Sequence, residues 1–113
     1  MKHLKLIINN QSKNQNIFFN KNELKIIFNL YAKMVSGGEW KDYGLNISKR
    51  EVSFNVYKRA SEFPAYKITK KINPKNRNEK YIIKDSQNKT LGYSENLENL
   101  IKKIIWIKFK LVN

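Results

Sequence analysis

The chain has 113 residues, 41% of them hydrophobic, no cysteine, and 23 basic against 9 acidic residues for a net charge of +14. That length accommodates one domain with one modest core, and the missing cysteine excludes disulfides, thiolate chemistry and cysteine-ligated zinc. No apolar run approaches the roughly 20 residues of a membrane span, and Met1–Ile8 is too short in its apolar part and lacks a cleavage site for a signal sequence, so a soluble, cytoplasmic protein is expected.

Residues 9–16, Asn-Asn-Gln-Ser-Lys-Asn-Gln-Asn, are polar and low in complexity, and residues 1–16 read as a flexible polar arm with at most a short strand at Leu4–Ile8. A helix opens after Asn20. Asn20 can cap it, Glu23 three residues on can reach back to the cap's N–H, and Phe19 can pack on Leu24 as a hydrophobic staple. Leu24, Ile27, Phe28, Tyr31, Met34 and Val35 then fall on one face, and Gly37-Gly38 supplies a left-handed stop.

From Lys41 the apolar period becomes that of a strand. Tyr43, Leu45 and Ile47 alternate with polar neighbours, as do Val52, Phe54 and Val56, then Tyr66, Ile68 and, less cleanly, Ile72. Tyr81-Ile82-Ile83-Lys84 gives a fourth strand. Turn signals join them at Ser48-Lys49-Arg50, Ser61-Glu62-Phe63-Pro64 and Asn73-Pro74-Lys75-Asn76-Arg77-Asn78. Asp85-Ser86-Gln87-Asn88-Lys89 is a further turn, leading into Thr90-Leu91-Gly92-Tyr93. A second helix begins after Ser94, with Glu95 and Glu98 in its first turn, where the helix dipole favours them. Leu97, Leu100, Ile101, Ile104 and Ile105 form its stripe. Beyond Trp106 the alternation of Ile107, Phe109 and Leu111 with lysines points away from helix.

These connections leave no room for crossover helices, so the strands should form an antiparallel meander. The expected fold is α+β, a four-stranded antiparallel meander with an N-terminal and a C-terminal helix packed on one face (α-β-β-β-β-α). It would occupy residues 17–113 as a single domain behind the arm.

Lys heavily outnumbers Arg, beside abundant Asn, Ile, Phe and Tyr, the composition expected of a genome rich in A and T. The charge itself still acts on partners. A positive field of this size favours nucleic acid, anionic lipid or an acidic protein. If Val52, Phe54 and Val56 face the helices, then Ser53, Asn55, Tyr57 and Arg59 face outward, joined by Lys67, Thr69 and Lys71 and by Lys84. Antiparallel sheets often leave one face in water, and this one would be basic with interleaved aromatic and hydroxyl groups. Tyr57, Arg59, Lys67, Lys71 and Lys84 are therefore the candidate residues for holding RNA, DNA or another anion.

A second candidate is the pair of segments Gly37–Gly44 and Lys58–Pro64, where Glu39, Trp40, Asp42, Arg59 and Glu62 gather. They are read either as architecture, with Trp40 closing the sheet edge over the first helix, or as a docking surface for a protein partner. The two segments should meet in space, with an ion pair or a loop-capping contact between Arg59 and Asp42 or Glu39. Catalysis finds little support. The one histidine, His3, is in the arm, Glu39-x-x-Asp42 spans a turn, and no nucleophile or phosphate-loop motif is present. No cofactor and no metal are expected. The leading expectation is a non-enzymatic basic binding module, and the alternative is an assembly factor docking through the Trp40 turn and the Ser61–Pro64 loop.

Leu30, Tyr31, Met34, Val35, Gly38, Glu39, Trp40, Asp42 and Tyr43, followed by Phe54, Arg59, Ser61, Glu62, Pro64, Tyr66 and Ile68 and by Leu111 and Val112, resemble the pattern of a largely alphaproteobacterial family, the domain of unknown function 2794 family. The likeness runs from about Phe19 to the C-terminus and skips the arm. Lys41 and Lys58 stand where the family more often has Arg, which favours point-charge over forked recognition at those positions. The resemblance implies one compact domain with a shared motif and implies no activity.

Overall fold

The computed structural model describes residues 18–59 and 63–104. The expected arm, Ser61 and Glu62, and everything beyond Ile104 lie outside those residues. Helix α1 spans Lys21–Ser36. It starts where the sequence places it: the Asn20 side chain accepts from the Glu23 N–H at 2.8 Å, and the Asn20 N–H donates to the Glu23 carboxylate at 2.6 Å. Two otherwise orphaned donors are thereby satisfied. The helix stops at a left-handed Gly38 with φ of 76°. Glu39 N–H donates to the Met34 carbonyl at 2.9 Å and Gly38 N–H to the Val35 carbonyl at 3.0 Å, closing the turn in the Schellman pattern.

Five strands follow, β1 (Asp42–Ile47), β2 (Glu51–Tyr57), β3 (Tyr66–Lys71), β4 (Tyr81–Asp85) and β5 (Thr90–Ser94), then helix α2 (Leu97–Lys103). They form one antiparallel sheet in the order β1-β2-β3-β4-β5. The meander is as expected, but it has five strands and not four. The added strand is Thr90–Ser94, which sequence reading left unassigned after a turn. Its central Gly92 carries no strand propensity. A Cβ there would lie 2.6 Å from Ile104 Cδ1 and 3.2 Å from Leu100 Cδ1, so glycine lets α2 seat on β5 without displacing those side-chain ends.

Two boundaries also differ from the sequence reading. α2 is capped by Asn96, whose side chain accepts from Asn99 N–H at 2.9 Å, so Glu95 precedes the helix. Ile72 lies past the end of β3 in a bend, its N–H donating to the Arg50 carbonyl at 2.8 Å.

Register sorts the side chains. Leu45, Phe54, Ile68 and Ile83 stand opposite one another across four strands, and Tyr43, Val56 and Tyr66 across three. This face joins Ile27, Leu30 and Met34 of α1 and Leu97, Leu100 and Ile101 of α2 in one core. Val52, Phe54, Val56, Ile68 and Ile83 are fully enclosed there. Each such side chain contributes about 1.5–3 kcal/mol through removal from water.

Candidate functional site

The opposite face is the one that the alternation points to. Across it Asn55 pairs with Lys67 and Lys67 with Lys84, so two lysines on adjacent strands stand directly opposite each other. The next row is Ser53, Thr69, Ile82 and Tyr93, and the row after it sets Glu51 against Lys71. Tyr57 occupies the near end of β2, its ring 3.8 Å from where a Cβ on Gly44 would be. Ser53, Thr69 and Ile82 are buried, whereas Tyr93 is half exposed and Lys67, Lys71 and Lys84 are partly exposed.

Two ion pairs form among the described residues, Lys70 with Glu23 at 2.9 Å and Lys102 with Glu98 at 3.8 Å. Lys67, Lys71 and Lys84 join neither. Like charges on facing strand positions are destabilising for the sheet itself. Lys67 and Lys84 thus form a like-charge pair with no ion-paired carboxylate among the described residues, while Lys71 has Glu51 across the register.

Arg59 does not share this face. β2 ends at Tyr57, and Lys58 and Arg59 bend away to line a cleft of about 560 Å³ with Phe63, Ala65, Tyr66, Asp85 and Ser86. Of the five candidate anion-binding residues, Tyr57, Lys67, Lys71 and Lys84 share the outer face, and Arg59 sits at its end.

The first marked segment packs on the strands that flank the second, of which residues 60–62 lie outside the described residues. Lys41 N–H donates to the Tyr57 carbonyl at 2.8 Å, and Asp42 is the register partner of Tyr57. Trp40 is only 1% exposed, its ring 6.2 Å from Tyr31 and 6.1 Å from Tyr66. The contact is made by backbone and aromatic packing. Among the described residues Arg59 forms no ion pair with Asp42 or Glu39; Asp42 instead accepts from the Tyr43 N–H at 2.8 Å. Tyr43 stacks on Phe54 with centroids 4.9 Å apart, placing it in the core row as expected. The charge of the turn is still felt inside. Burial, then the Asp42 carboxylate, pushes the Tyr31 and Tyr43 hydroxyls above their ordinary range, and burial, Glu39 and Asp85 do the same for Tyr66.

Sequence reading missed a third constellation. Lys70 faces the helices, the inward position after Tyr66 and Ile68, and its ammonium donates to Glu23 at 2.9 Å and to the Phe18 carbonyl at 3.0 Å. The second Glu23 oxygen accepts from the Tyr81 hydroxyl. Glu23 is 3% exposed. Burial, this hydrogen bond and the Glu23 charge hold the Tyr81 phenol far above its usual range. The cluster pins the start of α1 to β3 and β4, and its closed hydrogen bonding makes it structural. The signal was present: an alternation of Tyr66 and Ile68 that meets a lysine at its next inward position requires a buried counter-charge.

No group of three or more His, Asp or Glu side chains among the described residues could hold a metal ion, and none of their helices is long and apolar enough to cross a membrane.

Residues 17–101 match the model of a family described as proteins of unknown function, DUF2794. The match covers most of the sequence, and the chain belongs to that family. No curated protein and no solved structure matches it.

Proposed function

We propose that this member of the DUF2794 family is a non-enzymatic binding module that holds nucleic acid on the outer face of its sheet. The observation that carries the reading is the facing pair Lys67 and Lys84, unneutralised and flanked by Asn55, Thr69 and Tyr57. A phosphate placed between two such ammonium groups relieves their repulsion and gains charge-assisted hydrogen bonds. The partly exposed Asn55 amide and Tyr57 phenol supply sugar and base contacts. The net charge of +14 adds long-range attraction that depends on salt.

Docking of a protein through the Trp40 turn has less support, because the ring that would anchor it is already packed in the core. That burial favours an architectural part for Glu39, Trp40 and Asp42. Fluorescence anisotropy with a labelled oligoribonucleotide at low salt tests the proposal. Wild-type protein is expected to bind, and the Lys67→Gln, Lys71→Gln, Lys84→Gln triple variant to bind more weakly while melting normally. No binding by the wild type refutes the nucleic-acid reading, and equal binding by the variant removes the outer face from it.

A further inference from the structure

The outer face ends at β5, where register sets two exposed side chains beside the lysine pair. Thr90 stands directly opposite Lys84, and Tyr93 stands opposite Ile82, two residues along β4 from Lys84. A shift of register between Ile83 and Lys84 takes Leu91 out of the alternation, so Thr90 and Tyr93 both belong to the face of the lysines. Tyr93 is then the diagonal neighbour of Lys84, roughly 7–8 Å away along the sheet and within reach of a long side chain. Its ring is 50% exposed, and its side chain joins no hydrogen bond, ring pair or ion contact among the described residues.

Tyr93 also lines a cleft of about 630 Å³, within the range of small-ligand sites, where β5 turns into α2. Asn78 and Asn99 stand on its wall. Their backbone N–H groups are used in capping turns, but their side-chain amides make no hydrogen bond among the described residues. Glu95 and Lys103 share the wall, and neither forms an ion pair among the described residues. The cleft thus sets donors, acceptors and one charge of each sign beside an open aromatic ring. That inventory suits the polar edge and flat face of a nucleobase. No aliphatic residue is among the described residues that line it, so a hydrophobic ligand would find little to pack on.

Resting on the nucleic-acid reading above, we infer that the ligand is single-stranded: Tyr93 takes one unpaired base, with a neighbouring phosphate on Lys67 and Lys84 and the base edge towards Asn78 and Asn99. A base inside a duplex presents only its edges in the grooves, so it cannot stack on Tyr93 without leaving its partner. A single strand held on the lysine pair has its bases free, and Tyr93 is the exposed ring beside that pair. Stacking of one base on an aromatic side chain is worth roughly fivefold to 150-fold in affinity.

The test compares one labelled oligoribonucleotide of about ten nucleotides, single-stranded and annealed to its complement, on wild type, Tyr93→Ala and Tyr93→Phe by fluorescence anisotropy. The single strand is expected to bind wild type at least about fivefold more tightly than the duplex, a comparison that needs no variant. Tyr93→Ala should lose about that factor on the single strand alone, and Tyr93→Phe, which keeps the ring, should bind like wild type; melting curves check that both variants are folded. Equal binding of the two strand forms overturns the inference while leaving the basic face as a nucleic-acid site. So does an unchanged single-strand affinity in Tyr93→Ala, or an equal loss in Tyr93→Phe. Absence of wild-type binding to either form overturns both readings.

Discussion

Replacing Lys70 by Met probes the buried cluster that orients α1 on the sheet. Met keeps the length and apolar stem of lysine, so the packing volume is nearly conserved. What disappears is the ammonium 2.9 Å from Glu23 and its bond to the Phe18 carbonyl. The Glu23 carboxylate, 3% exposed, then retains Tyr81 and the Asn20 N–H but no counter-charge. Breaking one side of a buried pair costs about 3–5 kcal/mol, a large part of the roughly 5–15 kcal/mol that stabilises a small domain. For a domain of this size that corresponds to a fall of roughly 12–40 °C in Tm. The companion variant Glu23→Gln with Lys70→Met removes both charges while the glutamine can keep the capping bond to Asn20. It should melt above Lys70→Met alone, a coupling that a double-mutant cycle reads directly. Calorimetric melts of the wild type, both single variants and the double variant give the result. A Lys70→Met protein melting within a few degrees of wild type would refute the assignment of a buried, mutually dependent pair.

The remaining predictions concern Gly38 and Gly92, the turn and the tyrosines. Gly92→Ala should destabilise by about 1–3 kcal/mol because its Cβ meets Ile104 and Leu100, whereas Gly38→Ala, with open space around it, should cost about 1–2 kcal/mol from its left-handed backbone alone; urea titrations measure both. Trp40→Ala should cost about 3–5 kcal/mol, as loss of a buried indole does, while Arg59→Gln should stay within about 0.5 kcal/mol of wild type, and the same titrations separate architecture from surface. Stability should fall as pH rises above 10, the ordinary tyrosine pKa. The sign follows because Tyr31, Tyr43, Tyr66 and Tyr81 stay protonated in the fold where the unfolded chain has already ionised, so their contribution is complete below that pH and is lost above it. Tyr81→Phe should flatten the alkaline decline, measured as Tm against pH, and an unchanged decline would count against its hydrogen bond to Glu23.

Local rules made the helix start, its glycine stop and the first four strands legible, because caps and alternation act between residues close in sequence. Alternation also sorted Lys67, Lys71, Lys84 and Tyr57 onto the face away from the helices. The failures were non-local. β5 hides behind Gly92, a residue chosen by the approach of Ile104 and not by strand propensity. Lys70 was passed over for Ile72 because its partner Glu23 is 47 residues away and already accounted for as a capping residue. Arg59 was carried outward on the alternation of β2, which ends two residues before it.

The salt dependence of binding to a single-stranded oligoribonucleotide tests the central claim, that the lysines of the outer face hold phosphates, most directly. Each phosphate contact to a single strand adds about −0.7 to the slope of log affinity against log salt. If Lys67, Lys71 and Lys84 each neutralise one, the triple glutamine variant should show a slope shallower than wild type by about 2. Parallel slopes for the two proteins would contradict the account.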